Sequence, residues 1–367
     1  MLKKKIKLYY KTNIRNFFKF IYGKVLLPKK STKIPIKLST INNLKFKTFL
    51  GKKYKFYSID KARIYTDNNE NVAIIKNNFL VPKTSYQQVN GILKSEKFNS
   101  TLHHGTPSFL KKYSGTVLNL AQGGSGNNYF HFFFDIIPKI FLFKSNQKNF
   151  EKIDYFYFSN LKKWQIEIFK IAGIKKKFID SQKYNHIFAD KVITLDHPWY
   201  YKGNIQYQLK IIPQWIIHLN KKIFLNKSKK INCKKNIFLD RSSSNYNHCQ
   251  IENMNGINEL IFKNNFGVYK PETLAFEKQI YLFKNASIVL GAHGAAFTNI
   301  IFCRPKTKII ELITSDHPNR KCEMICKVLN LRYFRINTKV NNSDKNFPYK
   351  IVLEKKHLKL IDKIINL

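Results

Sequence analysis

Through the second half of the chain, short unbroken apolar runs alternate with longer stretches whose apolar positions recur every three or four residues. Ile237-Phe238-Leu239 reads as a buried strand and Asn255 to Lys263 as a helix. Phe266 to Tyr269 reads as a strand, Thr273 to Asn285 as a helix, and Ser287 to Leu290 as a strand again. The last of these feeds LGAHGAAFTNIIF (290–302), where Gly291, Gly294 and two alanines bracket His293 and an apolar stretch from Ala295 to Phe302 reads as a short helix. Arg304-Pro305 ends that helix and Lys308 to Leu312 is the next strand, which completes a β-α-β unit.

The first half begins differently. From about Lys55 to Val81 the pattern predicts short strands, KFYSI, ARIYT, VAIIK and NFLVP, with turns at 67–70 and 77–78. Residues 84–112 are polar and show no clear period. Thr116 to Leu120 then reads as a strand, 122–128 as a glycine-rich loop, and Asn127 or Asn128 as the N-cap of an apolar helix in which Pro138 is expected to kink or end the run. Beyond it Tyr155 to Phe158 is strand-like and Lys163 to Ala172 helical, with Gly173 as its C-cap. Lys177 to Ile179 and Lys191 to Leu195 are expected strands, and His197-Pro198-Trp199 a loop. Alternation of this sort argues for α/β domains with a mainly parallel sheet. A helix over 212–225 followed by the polar run 226–230 marks the expected domain boundary.

Composition adds class information. The 367 residues leave room for two domains, and 44% hydrophobic residues suffice for real cores. The formal charge of +44 is carried mostly by lysine spread along the chain, beside abundant Ile, Asn and Phe, a mixture that an AT-rich coding bias produces without any nucleic-acid site. Such a charge favours anionic surfaces and acidic substrates but does not choose between lipid, nucleic acid and sugar nucleotide. Five cysteines without paired spacing argue against a disulfide framework and fit a reducing cytosol. Cys322 and Cys326, four apart on an expected helix, lack the histidine partners of a metal site. The first 30 residues are basic, with no signal-peptide core and no run of apolar residues long enough to cross a membrane. Tyr9, Tyr10, Phe17, Phe18, Ile21 and Tyr22 recur there at helical spacing among lysines, which suits either an amphipathic helix on an anionic membrane or a solvated leader.

Three places carry candidate chemistry. A strand feeding a small-residue turn that opens a helix, as around His293, aims free backbone N–H groups at one spot and suits an anion such as a nucleotide diphosphate; the same glycines could serve packing alone. Arg241, in a chain that prefers lysine, follows a strand where open α/β sheets bind ligands, and its fork can hold phosphate bidentately. His131 and Asp135 lie one helical turn apart among Phe132, Phe133, Ile136 and Ile137, so the carboxylate can fix the imidazole tautomer and raise its basicity, or the two can be a merely structural polar pair. Internal repeats, phosphate-loop, nucleophile-elbow, zinc-protease and kinase signatures are all lacking from the sequence.

Taken in order, NYFHFFFDIIPK (128–139), IFLDR (237–241), YKPETLAFEKQIYLF (269–283) and IVLGAHGAAFTNIIF (288–302) resemble glycosyltransferase family 61. That family includes bacterial capsule or cell-surface polysaccharide transferases, plant xylan transferases and eukaryotic O-linked GlcNAc transferases. The resemblance implies an α/β, GT-B-like fold, two Rossmann-like domains facing a cleft, preceded by a short β-rich segment. It also implies a nucleotide-sugar donor, inversion at the anomeric carbon, and neither cofactor nor essential metal. The expected domains are a basic leader over 1–50, membrane-associating or solvated as above, an acceptor-side domain over 51–225, a donor domain over 231–345 and a C-terminal helix over 346–367.

Matched position by position, Arg241, Asn253, Glu272, His293, Gly294, Ala295 and Asn299 would bind the donor, and His131 with Asp135 would supply the base. The chain departs from the family where Asp240 stands for a serine, Cys249-Gln250 for a second arginine, and Met254 for a glutamate. The expected partners are a nucleotide sugar, a glycan or lipid-linked acceptor and an anionic membrane surface, with no nucleic acid. The expected location is the cytoplasm, peripheral on the inner membrane. Two other readings stay open: a non-catalytic basic protein that binds nucleic acid or anionic glycan, and a degenerate family member.

Overall fold

The computed structural model describes residues 2–41, 53–67, 71–89, 92–122, 128–145, 150–199, 211–242, 249–339 and 350–367. The expected glycine-rich loop therefore lies almost wholly outside the described residues. The chain divides into two compact units, Met1–Gln208 and Leu209–Leu367.

The first unit opens with helix α1 (Leu2–Tyr22) and is built on one mixed sheet. Its strands are β1 (Lys37–Thr40), β2 (Lys55–Thr66), β3 (Asn71–Lys76), β4 (Phe79–Leu80), β5 (Tyr86–Val89), β6 (Ile92–Lys94), β7 (Lys111–Asn119), β8 (Tyr155–Phe158), β9 (Lys177–Asp180) and β10 (His186–Leu195). They run in the order β6-β5-β3-β2-β10-β7-β8-β9, with β1 beside β2 and β4 beside β3. Only the β10-β7-β8-β9 half is parallel; every pairing from β2 to β6 is antiparallel. The sheet is thus less parallel than the sequence pattern predicts. The connections explain it: β2 to β6 are joined by turns too short for a crossover, whereas β7 to β8 and β8 to β9 each carry a helix. KFYSI and ARIYT, expected as two strands, are the single twelve-residue β2, and the aperiodic 84–112 segment supplies β5, β6 and the start of β7.

The helix after β7 starts where the Asn128 side chain accepts from the His131 backbone N–H. It continues past Pro138 to Lys144. Proline there removes a donor and pushes against the carbonyl four residues back, and the wider π turn Phe132–Ile136 just ahead takes up that misfit. Phe132, Phe133, Ile136 and Ile137 are buried as expected.

Among the described residues the second unit holds five parallel strands, β11 (Asn236–Leu239), β12 (Gly267–Tyr269), β13 (Ile288–Ala292), β14 (Lys308–Thr314) and β15 (Arg332–Thr338), in the order β12-β11-β13-β14-β15. Every residue of β13 is buried, which is why it reads as a continuous apolar run. Phe238, Leu290, Ile310 and Ile336 pack with Ile257, Leu260 and Ile261 of the helix Met254–Lys263, and with Ile361 and Ile364 of the C-terminal helix Lys355–Ile365. Each such side chain contributes about 1.5–3 kcal/mol of burial. Helices Gln214–Phe224, Phe276–Asn285 and Lys321–Val328 pack around the 3-10 helix Ala295–Phe302. The unit therefore begins ahead of the helix Gln214–Phe224, whereas the sequence reading sets the boundary behind it. The reason is packing: Phe224 stacks edge-on against Phe276 at 5.1 Å, and Lys221 donates to the Cys303 carbonyl at 2.8 Å.

Candidate active site

The order β12-β11-β13 means that the chain leaves β11 on one side and returns as β13 on the other. This is a topological switch point, and in open parallel sheets the carboxyl ends of the two strands flanking it frame the ligand crevice. Leu239 of β11 lies level with Gly291 of β13, so Asp240-Arg241 and His293 emerge side by side. Gly291 permits that approach: a side chain there would meet the Leu239 Cβ at 2.9 Å. The Arg241 guanidinium donates through Nη1 to the His293 carbonyl. It fits because residue 294 is glycine; a Cβ at Gly294 would sit 2.6 Å from the guanidinium carbon. Burial presses the Arg241 guanidinium below its ordinary value, and the nearby Cys249 and Glu272 partly offset this. It stays a cation at neutral pH.

The His293 backbone N–H donates to Leu312 and that of Phe297 to Gly294. Between them the backbone of Gly294, Ala295 and Ala296 opens the 3-10 helix, where the first N–H groups have no intrahelical acceptor by geometry. The His293 imidazole Nδ1 lies 2.6 Å from Glu311 Oε1, and the Tyr333 hydroxyl donates to Glu311 Oε2 at 2.6 Å. Burial raises the Glu311 carboxyl, but His293, the hydrogen bonds from His293 and Tyr333, and Arg335 outweigh it, so the carboxyl lies below the usual glutamate value. His317 covers the other side, its ring 4.6 Å from that of His293. Sequence reasoning missed Glu311, Tyr333 and His317. The available signal was an acidic residue in the middle of the apolar strand KIIEL.

The remaining matched residues take varied places. Glu272 is exposed on the short 3-10 turn Pro271–Thr273 and adds negative charge near Arg241. Asn299 is buried and donates to Gln279 Oε1 at 2.9 Å, while Gln279 donates to the Leu274 carbonyl, tying the helix Phe276–Asn285 to the turn. Asn253 has both ends of its amide engaged by Leu353: it donates to the carbonyl at 2.7 Å and accepts from the N–H at 2.9 Å. Asp240, in the serine position, accepts from the Ser242 backbone and hydroxyl. Cys249, in place of the second arginine, is buried in the core.

In the first unit, His131 Nδ1 and Asp135 Oδ2 are 2.8 Å apart. Asp135 is the hub of a buried polar cluster. It accepts from Gln122 Nε2, and from Trp199 Nε1 at 2.6 Å, with His197 Nε2 3.6 Å away. Lys139, one turn further along, donates to Gln122 Oε1 and to the Tyr86 hydroxyl at 2.7 Å each. Burial would raise the Asp135 carboxyl, yet the charges and hydrogen bonds of His131 and His197 hold it far below the carboxylate range. Burial draws His197 down to about 4 and Lys139 down to about 8, with Asp135 pulling both back up in part. The His131 ring stacks on Trp199 at 6.3 Å. The sequence pattern picks out the pair but not the cluster, although a lysine inside so apolar a helix as FDIIPKIFLF was its visible trace. Among the described residues no group of three or more His, Cys, Asp and Glu is arranged to hold a metal ion.

The family model described as Glycosyltransferase 61 matches residues 129–310, about half of the chain. Beta-1,2-xylosyltransferase RCN11 of Oryza sativa subsp. japonica is 34% identical over 61 residues, 17% of this chain and 11% of that protein. A beta-1,2-xylosyltransferase of Arabidopsis thaliana is 33% identical over 60 residues, 16% of this chain and 11% of that protein. The chain thus spans about a tenth of the length of these relatives. The crystal structure of the bacterial iron-containing dodecameric glycosyltransferase TibC from enterotoxigenic E. coli H10407 aligns with a TM-score of 0.31 at 8% identity, over 89% of this chain and 90% of that one, a likeness too weak to fix fold or activity. The span matched by the family model takes in His131, Asp135, Arg241, Glu272 and His293, and on that match the chain belongs to glycosyltransferase family 61.

Proposed function

We propose that the protein is an inverting, metal-independent glycosyltransferase that moves a sugar from a nucleotide sugar to a cell-surface glycan or glycolipid. In this reading the fold is of the GT-B type, the second unit binds the donor and the first serves the acceptor. The single observation that carries it is the Arg241 guanidinium lodged on the His293 carbonyl at the switch point, in space that Gly294 leaves open. Arg241, His293 and the N–H groups of Gly294 and Ala295 would take the donor diphosphate. Glu272 would hold Arg241 in place, and Asn299 and Asn253 would brace the surrounding backbone.

The acceptor hydroxyl oxygen attacks the anomeric carbon as the bond to the nucleoside diphosphate breaks, and a base removes the hydroxyl proton. His131, with its tautomer set by Asp135, is assigned as that base. The charge on the departing diphosphate is met by Arg241 and backbone dipoles, so no divalent ion is required. The five free thiols support the expected reducing cytoplasm, and the short matches to xylosyltransferases put nucleoside-diphosphate xylose among the donors to try.

One observation favours a second assignment of the base: His293 also has a carboxylate partner, Glu311. Product analysis with the best donor, in the presence of chelator, tests the reaction. Inverted product made by the wild type and lost in His131→Ala, with donor affinity intact, supports His131. Near-normal turnover in His131→Ala, with turnover lost in Glu311→Gln, moves the base to His293.

A further inference from the structure

The N-terminal helix presents the wrong face to water. At about 100° per residue, Ile6, Tyr9, Tyr10, Ile14, Phe17 and Phe20 fall within an arc of roughly 140°, while Lys7, Lys11, Arg15 and Lys19 fall on the opposite side. An amphipathic helix that belonged to the core would bury the first arc. Instead Phe20 is 90% exposed, Tyr9 67% and Phe17 52%. Helix α1 docks by its other side. Phe18 is buried and packs edge-on against Phe109 at 5.1 Å, the Tyr22 ring meets His186 at 5.0 Å, and the Tyr22 hydroxyl accepts from the Leu110 N–H at 3.0 Å. Because those anchors stand among the cations, the apolar arc is held outward as a fixed feature of the unit. Leu26, just beyond the helix, is exposed as well.

We propose that this face seats the protein on an anionic bilayer surface, with the aromatic arc in the interface and the flanking lysines over the headgroups. Charge complementarity selects that occupant. No acidic residue occurs before Asp60, and the whole chain carries +44. A second copy of the same strongly cationic surface would repel this one, whereas an anionic lipid attracts it. Tyrosine and phenylalanine suit the boundary between headgroup and acyl chain. No described helix is long and apolar enough to cross a membrane, so contact through this helix is interfacial. The inference stands apart from the catalytic reading, since it uses none of the residues assigned to donor or base.

Flotation of the full chain with vesicles tests it. At about 0.05 M salt the wild type should bind vesicles of roughly three parts phosphatidylglycerol to seven parts phosphatidylcholine, and should bind pure phosphatidylcholine at least about tenfold more weakly. Phe17→Glu with Phe20→Glu should lose about tenfold or more of that binding, with an unchanged melting temperature because both rings are exposed. Lys7→Gln with Lys11→Gln should narrow the preference for anionic vesicles. Wild type that ignores the vesicles, or a double glutamate variant that binds as well as wild type, overturns the proposal. So does a wild-type dimer that the glutamate variant dissolves while vesicles go unbound, which would assign the face to a second copy.

Discussion

At the scale of single residues, the position that separates site from scaffold is Gly294. Its backbone is extended and would accept any residue, so its requirement comes from the Arg241 guanidinium packed against it. Gly294→Ala should therefore displace the guanidinium and weaken donor binding about tenfold or more, while stability changes by less than about 0.5 kcal/mol. Calorimetry and a melting curve on the same sample check both halves. If Arg241 takes the donor diphosphate as proposed, Arg241→Ala removes a charge-assisted contact of about 1.5–3 kcal/mol and should cost about ten- to hundredfold in donor affinity. Glu311→Gln should lower turnover and flatten part of the acid side of the stability profile. The sign follows from linkage: a carboxyl held below its unfolded value stabilises above that value, and the gain is lost as pH falls through the folded one. A denaturation midpoint that falls equally in wild type and Glu311→Gln between pH 5 and the acid limit, roughly the carboxylate range, would contradict it.

At the scale of elements, strand–helix alternation was legible where each strand is buried on both faces, as in β11, β13 and β14, because such strands read as unbroken apolar runs. It was not legible in β5 and β6, strands of only four and three residues held by pairing, β5 to β3 and β6 to β5, and too short to show a period. Nor was the passage through Pro138 legible, since a proline by itself signals a kink or an end and not the π turn ahead of it that takes up the misfit. The His131–Asp135 pair could be read from its spacing. Its partners Gln122, His197 and Trp199 could not, because they reach Asp135 from other segments of the chain. The pair and the cluster should respond differently to mutation. Asp135→Ala strands buried donors and should cost about 3–5 kcal/mol in chemical denaturation, whereas His131→Ala should spare most of the fold and strike turnover. The buried histidines add a pH signature. His197 and His186 are each drawn down to about 4 by burial, so the unfolded chain binds protons that the folded one refuses. Stability should decline as pH drops from the ordinary histidine value toward 4, and His197→Gln should shallow that slope if the fold tolerates it.

At the scale of the whole molecule, the second unit carries the His293 turn on a parallel sheet whose strand order sets it beside Arg241 at a switch point, and the first carries a second histidine–carboxylate pair on a mixed sheet. The net charge belongs to the chain rather than to either site. A protein that used it only to bind polyanions would show steep salt dependence and indifference to residue 294. The most direct test is calorimetric titration of a panel of nucleotide sugars, with chelator present, into the wild type, Arg241→Ala and Gly294→Ala. The expected result is one donor that binds the wild type and loses about tenfold or more in both variants, with melting temperatures unchanged. Equal binding by all three proteins, or no nucleotide sugar bound by the wild type, would contradict the assignment of the His293 turn as the donor site.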